Sequence, residues 1–589
     1  MHISPTPMTV ITRANASRAR IAGHAFLLLL PILLLLLREG ASAQEERPAV
    51  SLSGSATLSG DLYSSSSDPS GSEGPRRPPS LFRLLLNPTV TIGDLVSLPF
   101  SIMLTSRETN VTTPIANNPT LTQFLQNPAN GIGLLSFSPK IAWAQLYLGT
   151  HTPQFSELSW GDEQLFGVGV DLRPGTFRFA ASAGTSQRAI EPDSAAGIRG
   201  AYARRAYMIK VGFGNEETSF IDLNGVRVVD DSTSIMHAPA GVTPQEGLLA
   251  SADFRIGIAH DLYITGEAAA SAFTRDRTAP AINGDTPIPT ALLDSRTSTR
   301  TDGAASLDVV AKGSFWGLKV GGKYIGAGYV PLGYPFMQSD RLEFRAAPSL
   351  TLFESALLLN GTIGFRTNNL TETKGTSSTQ LTGSVNLLAT LTDALSLTAR
   401  FANLGVRNTV TNDTFKVQNV SRSFELSPTY TLALASSVQS FTLSFALDAY
   451  TDYNPVSGVE ASNDTRSVTG LWVGTWTEMP LVLNASLNYL TNNLAVGSLA
   501  ITSATFGVGY NFLQNRLTPS ATASYTSTTF GGGSAADAGL LLRLGVQWTI
   551  TERIALNAAF STNGYRYDAS RAGAVFRENL LETSLTTRF

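Results

Sequence analysis

Apolar and polar residues alternate along most of this chain. The last ten residues, LLETSLTTRF, place Leu581, Thr583, Leu585, Thr587 and Phe589 at every second position, with polar residues between them. Successive side chains of a strand point to opposite faces of its sheet, so this pattern predicts a strand with one apolar and one polar face. Segments 540–550 and 395–401 alternate in the same way. The sequence therefore predicts an all-β fold.

Short turns and long polar loops alternate between the predicted strands. Short turns include Gly93–Asp94, Pro139–Lys140 and His260–Asp261, whereas 108–129 and 276–298 are long and rich in Ser, Thr, Asn, Pro and Gly. Short periplasmic turns opposite long extracellular loops are typical of a transmembrane barrel. We predict a single antiparallel up-and-down β-barrel of about 26 strands (about 24–26), with both ends on the short-turn side.

The first 43 residues have the order of a secretory signal peptide. Basic residues come first, an apolar run from Ala25 to Leu37 follows, and the small residues Ala41 to Ala43 end the segment. A membrane anchor is the alternative, but the run is short for about 30 Å of hydrocarbon and contains Pro31. We expect residues 1–43 to be cleaved and residues 44–589 to form the exported barrel.

Composition excludes several classes of function. The chain has 589 residues, a net charge of −3, 15% charged residues and no cysteine. This balance argues against a nucleic-acid partner, which needs a concentrated basic face. Without cysteine there are no disulfides, thiol nucleophiles or Cys-based metal sites. Residues 44–589 contain no run of 18 apolar residues, so any membrane crossing there must use strands.

A soluble all-β protein is the alternative to a membrane barrel. Its strands would be about five or six residues long and its apolar faces would point inward. The predicted strands are longer, and the short and long connections lie at opposite ends. Both observations, together with the export signal, favour the membrane barrel.

Over residues 44–589 the chain resembles Gram-negative outer-membrane β-barrel proteins. The resemblance is carried by the final strand, in which Leu581 and Leu585 alternate towards the terminal Phe589. It implies that the barrel-assembly machinery reads this strand, and that the protein lies among outer-membrane lipid and lipopolysaccharide of a bacterial cell. Few residues separate Gln44 from the first predicted strand, so we expect a porin-like large barrel without a plug domain.

Charged residues recur on the face predicted to line the lumen. Such groups line wet channels, or else they pair with one another in the wall of a closed lumen, and the sequence leaves both readings open. The long loops 108–129 and 276–298 are candidates for a constriction by size. The lumen-lining candidates are Arg255, Lys319, Lys323, Arg341, Glu343, Arg345, Arg400 and Arg543.

Catalysis has little support in the sequence. Asp230 and Asp231 precede His237 in an external loop, where they would form a base or a metal site if brought together. Isolated acidic residues and a histidine in a loop are more often solvent-exposed surface residues than parts of a catalytic site. No phosphate-binding loop or metal-spaced cluster occurs. We expect no enzyme, no cofactor and no metal, with a hydrolase at the rim as the weakest alternative.

The sequence thus predicts an outer-membrane channel that passes polar solutes through a mixed-charge lumen. The alternative is a non-conducting barrel that scaffolds a secretion, motility or surface-anchoring complex. In that case a partner protein would occupy its lumen or its loops.

Overall fold

A computed structural model describes residues 50–69, 74–92, 96–105, 133–161, 163–193, 197–238, 241–282, 288–334, 336–495, 497–531, 533, 535–570 and 573–589. The predicted signal peptide and the predicted loop 108–129 lie outside the described residues.

The described chain is built almost entirely of antiparallel strands. A 3₁₀ turn at Asp413–Phe415 and a single helical turn at Gly458–Ala461 lie in connections. Among the described residues no helix is long and apolar enough to cross a membrane. The strands are β1 (Val50–Asp68), β2 (Ser80–Ile92), β3 (Val96–Thr105), β4 (Gly133–Phe137), β5 (Lys140–Ile141), β6 (Ala144–His151), β7 (Leu165–Leu172), β8 (Phe177–Gln187), β9 (Ala203–Asn215), β10 (Ser219–Asp231), β11 (Glu246–Ala259), β12 (Leu262–Thr274), β13 (Thr299–Lys312), β14 (Trp316–Ile325), β15 (Arg341–Leu352), β16 (Leu357–Asn368), β17 (Ser378–Thr390), β18 (Leu395–Asn408), β19 (Gln418–Ala433), β20 (Ser437–Asp452), β21 (Asn463–Trp476), β22 (Leu481–Leu494), β23 (Gly497–Tyr510), β24 (Leu517–Phe530), β25 (Ala536–Thr551), β26 (Ile554–Tyr567) and β27 (Ala574–Arg588).

The sheet closes on itself. Consecutive strands pair antiparallel, and β27 pairs with β1 from Ser55↔Arg588 to Asp68↔Val575. Phe589 extends this pairing, because its N–H donates to the Gly54 carbonyl at 3.1 Å and its carbonyl accepts from the Gly54 N–H at 2.8 Å. Closure leaves no unpaired edge, which is the condition for a sheet to lie in lipid.

Strands β4 and β5 occupy one position in the barrel. Both pair with β3 and with β6, and Ser138 and Pro139 separate them. Proline has no N–H to donate to a ladder, so it interrupts the strand there. The barrel therefore has 26 strand positions, which confirms the predicted fold and strand number. The turn predicted at Pro139–Lys140 was misplaced: the chain reverses at Ala142–Trp143, where Ala142 has φ +45°.

The register assigns every strand residue to one face. Leu62, Leu581 and Phe560 are partners on neighbouring strands, and Leu62 and Phe560 are exposed although apolar. One residue along, Asp61 and Glu582 are partners on the opposite face. The same segregation repeats around the barrel, with exposed Leu, Ile, Val and Phe on the outside. An apolar outer face and a polar inner face are what a barrel in lipid requires.

Tryptophans mark the short-turn end of the outer wall. Trp316 opens β14, Trp476 ends β21, and Trp548 lies near the end of β25. Trp472 donates its indole N–H to Gln439 Oε1 at 2.8 Å on this face. Indole rings favour the boundary between lipid and water, so this end of the barrel lies at a membrane interface.

Candidate functional site: the lumen

A row of ionisable side chains crosses the inner wall. Register pairs connect its members from strand to strand, so all point into the barrel. From β10 to β16 this charged row comprises Asp222, Asp253, Glu267, Lys323, Glu343 and Arg366. Carboxylates occupy its first part and both signs occur in the second, so the lumen is charged without being dominated by one sign.

In the first part of the charged row Asp222 and Glu267 are buried, Asp253 is partly buried, and polar side chains outside the row pair with them. Arg178 Nη2 lies 2.5 Å from Asp222 Oδ1, and both side chains are almost fully buried. Asn224 donates to Asp253 Oδ1 at 2.7 Å. Buried charges need such partners because they have lost their hydration.

The sequence-predicted lumen residues all lie on the inner face, and the structure distributes them over several environments. Arg255 stacks on the Tyr263 ring at 3.8 Å. Four of the residues form ion pairs: Lys319 with Asp308 at 3.0 Å, Lys323 with Glu157, Arg341 with Glu343 at 3.3 Å, and Arg543 with Glu582 at 3.1 Å. Arg400 lies across from Glu425 in the register. Arg345 has no ion-pair partner among the described residues. A role for these residues in a conduction path remains a prediction.

One loop enters the lumen. Residues 152–164, here called the inner loop, connect β6 to β7. Its Leu158 and Trp160 are 0% and 3% exposed, and they pack on inward-facing Met208, Val226 and Leu249. This is a hydrophobic core inside a barrel, on the face that elsewhere is polar.

Glu267 holds the inner loop through both carboxylate oxygens. Ser156 Oγ donates to Oε1 at 2.5 Å, and the backbone N–H of Leu158 donates to Oε2 at 3.0 Å. Ser156 Oγ also lies 2.9 Å from Ser251 Oγ on β11. The neighbouring Glu157 pairs with Lys323 of the charged row. The wall thus fixes the loop by directed bonds as well as by apolar contact.

A second loop covers the first. Residues 326–340, here called the covering loop, connect β14 to β15. Tyr329 donates its hydroxyl to the Leu158 carbonyl at 2.6 Å, and the Gly161 N–H donates to the Gly333 carbonyl at 3.2 Å. Gly333 lies against the Trp160 ring, where a Cβ would collide with it. Burial raises the pKa of Tyr329, with a smaller contribution from Glu267, so its hydroxyl stays protonated and continues to donate.

The opposite part of the wall carries no such core. From β16 to β25, Ala389 is the one buried apolar side chain among the described residues. Its inner face instead bears hydroxyl pairs such as Thr362 with Ser384 at 2.6 Å and Thr505 with Ser524 at 2.8 Å. Among the described residues, the lumen is therefore filled on one side and lined on the other by a polar wall that no described loop covers, here called the bare wall.

The sequence indicated neither of the two loops that fill the lumen. In loop 276–298, proposed as a constriction by size, the described Arg277 lies at the rim, where it reaches the Asp230 carbonyl at 2.8 Å and Glu246 at 3.2 Å. One feature of the sequence could have indicated the inner loop. Phe155, Leu158 and Trp160 are large apolar residues in a connection between strands, where polar residues are expected. Their counterparts are apolar residues at inward positions of β9 to β11, where the two-residue alternation should place polar ones.

The predicted catalytic residues are engaged elsewhere. Asp230 pairs with Arg204 at 2.7 Å, and Asp231 pairs with Arg205 at 3.1 Å. His237 is exposed in the following loop. Within the described ranges no group of three His, Cys, Asp or Glu side chains is arranged to hold a metal ion.

Together these features define a class: a large transmembrane β-barrel of the outer-membrane type, with extracellular loops folded into its lumen. No family model matches the chain, and no curated protein sequence matches it.

Solved structures of similar architecture belong to Gram-negative outer-membrane barrels. The P pilus usher (PapC) translocation pore has 10% identity and a TM-score of 0.37, covering 91% of this chain and 99% of that one. A mutant ferric enterobactin receptor (PfeA) from Pseudomonas aeruginosa has 11% identity and a TM-score of 0.41, covering 93% and 81%. OccAB4 from Acinetobacter baumannii has 12% identity and a TM-score of 0.28, covering 64% and 100%. At these scores they say nothing about what this barrel carries.

Proposed function

We propose that this protein is a channel of the bacterial outer membrane that passes polar solutes along the bare side of its lumen. The observation that carries the proposal is the one-sided filling. The inner and covering loops pack on β9 to β14, whereas no described loop covers the polar inner face of β16 to β25. Twenty-six strands about 4.8 Å apart and tilted by about 40° would enclose a circle about 50 Å across. Loops on one side leave room beside them.

Selectivity in this proposal comes from the charges along the bare wall. Arg400 faces Glu425, and Arg543 pairs with Glu582 on the inner face. Alternating signs on the same wall favour hydrated polar solutes over apolar ones, without a strong preference for one charge. The predicted route to the membrane is part of the proposal: the barrel-assembly machinery would read Leu581, Leu585 and Phe589 on β27.

Planar-bilayer recording of the purified protein tests the channel. We expect discrete conductance steps from the wild-type barrel. Replacing residues 153–161 by a short Gly-Ser linker removes the inner loop, so the conductance of each step should increase. The control is a Gly-Ser replacement of residues 410–415, which lie in a rim connection outside the lumen core.

A folded barrel that shows no conductance in either form would contradict the proposal and favour the scaffold alternative. An equal increase for the control replacement would show that the inner loop does not restrict the pathway.

A further inference from the structure

A cavity lies at the extracellular mouth of the filled side of the lumen. It has a volume of about 370 Å³ and opens between the inner wall and the covering loop. The wall supplies Arg204, Phe273 and Arg300, and the covering loop supplies Leu332, Tyr334 and Met337, among others. Its size lies at the lower end of the range found for small-molecule sites.

Two of the three arginines that line the cavity have no carboxylate partner among the described residues. Arg204 is engaged with Asp230 at 2.7 Å and with Gln245 at 3.1 Å. Arg275 and Arg300 have no such ion pair, and the guanidinium of Arg300 lies 5.4 Å from the Phe273 ring centre. Among the described residues the cavity therefore presents two guanidinium groups that make no ion pair, and the adjacent Asp276 offsets part of the Arg275 charge.

Asp302 is the nearest acidic residue on the same strand face as Arg300, and its carboxylate accepts hydrogen bonds from the backbone. Asp302 accepts from the Gly303 N–H at 2.7 Å and from the Gly328 N–H at 2.6 Å. Gly326 also lies so close that a Cβ there would collide with the Asp302 carboxylate. This carboxylate thus fixes the start of the covering loop and leaves the Arg300 charge available to a ligand.

The remaining lining is largely apolar and firmly supported. Phe273 is 4% exposed, and Leu332 and Met337 pack against the buried core beneath the cavity. Below them, Tyr329 is anchored to the inner loop. A packed apolar floor beside two guanidinium groups suits a ligand with an anionic head and an apolar body.

We propose that this cavity binds a small organic carboxylate with an aromatic or aliphatic body. A guanidinium recognises a carboxylate through paired hydrogen bonds, and the apolar floor shields the rest of the ligand from water. The proposal rests on the proposed channel function, for which it names a solute class: such an anion would be captured at the mouth before it enters the lumen.

Isothermal titration calorimetry on the detergent-solubilised full barrel tests the site, with 3-phenylpropionate as the probe. We expect saturable binding of 3-phenylpropionate, with its uncharged amide and inorganic phosphate each at least tenfold weaker. The double variant Arg275→Gln/Arg300→Gln should lose at least tenfold in affinity for 3-phenylpropionate. The matched control is Arg407→Gln/Arg422→Gln, two exposed arginines on the outer wall, which should leave the affinity unchanged.

Absence of saturable binding, equal binding of the amide, or an equal loss in the control would overturn the proposal. Phosphate binding as tight as that of 3-phenylpropionate would also overturn it, because the apolar floor would then contribute nothing. Conductance recorded without ligand separates the two proposals. A barrel that conducts but does not bind refutes the site alone, and a silent barrel that binds refutes the channel alone.

Discussion

At the scale of single residues, Glu267 decides where the inner loop lies. Its carboxylate is 5% exposed and accepts from two groups of that loop. Removing one acceptor would leave a buried donor unsatisfied, which typically costs about 1–3 kcal/mol. The apolar contacts of Leu158 and Trp160 hold the loop against the wall, whereas Glu267 fixes its position.

Glu267→Gln should loosen the inner loop without unfolding the barrel. The amide oxygen can still accept from the Leu158 N–H, and the amide NH₂ can donate to the Ser156 hydroxyl, so two charge-assisted hydrogen bonds become neutral ones. At about 1 kcal/mol for each bond, amide hydrogens of residues 156–161 should exchange about fivefold to thirtyfold faster. Hydrogen–deuterium exchange with mass spectrometry measures this.

Glu425→Gln is the control for this change, because Glu425 is an exposed carboxylate on the bare wall. It should leave exchange in the inner loop as in the wild type. If Glu267→Gln has no effect either, the apolar contacts alone position the loop.

The sequence could identify inward charges but not their partners. Glu267 occupies an alternating position like any lumen residue, and its partner Ser156 lies 111 residues away. The same limit applies to Arg345 and Lys323, which look alike in the sequence. Lys323 pairs with the inner loop, whereas Arg345 has no ion pair among the described residues. Only the three-dimensional path of a loop distinguishes them.

At the scale of elements, the junction of β1 and β27 closes the barrel. On its inner side Tyr63 donates its hydroxyl to Glu578 at 3.0 Å. Arg76, from the connection after β1, lies over the rings of Phe576 and Tyr565 at 4.4 and 4.9 Å and pairs with Glu578 at 3.6 Å. One arginine thus joins the loop after the first strand to the last two strands.

Arg76→Gln should weaken this junction. Loss of two cation–π contacts and an ion pair is worth about 1–2 kcal/mol. The temperature at which the folded barrel converts to the unfolded form on SDS gels should fall. Arg77→Gln changes the exposed neighbouring residue and should leave that temperature unchanged. Equal behaviour of the two variants would show that the ring contacts do not hold the junction.

The alternation of apolar and polar residues along the sequence was sufficient to predict the strands. Alternation in segments such as 540–550 is dictated by two different solvents, lipid outside and water inside. The misplaced turn near Pro139 shows the limit: proline marks both turns and strand interruptions, and only the pairing of β5 with β3 and β6 decides between them.

At the scale of the whole molecule, the two sides of the barrel differ in construction. The side from β9 to β14 has a packed interior as well as its hydrogen-bond ladder. Among the described residues, β16 to β25 have the ladder and pairs of hydroxyl groups but no packed interior. The sequence predicted the barrel but not this difference, because it depends on where two loops go after they leave the wall.

The one-sided core has a mechanical consequence. Bending the filled side requires separating close-packed side chains, whereas the bare side can flex by small changes in strand twist. We expect slower amide exchange in β10 to β12 than in β20 to β24, measured on the same protein in the same detergent. Equal rates would mean that the core adds no rigidity. If the difference holds, the barrel consists of a rigid segment, β9 to β14, joined to a flexible segment, β16 to β25, within one closed sheet. Its cross-section would then adapt to the surrounding bilayer on the same side on which solutes pass.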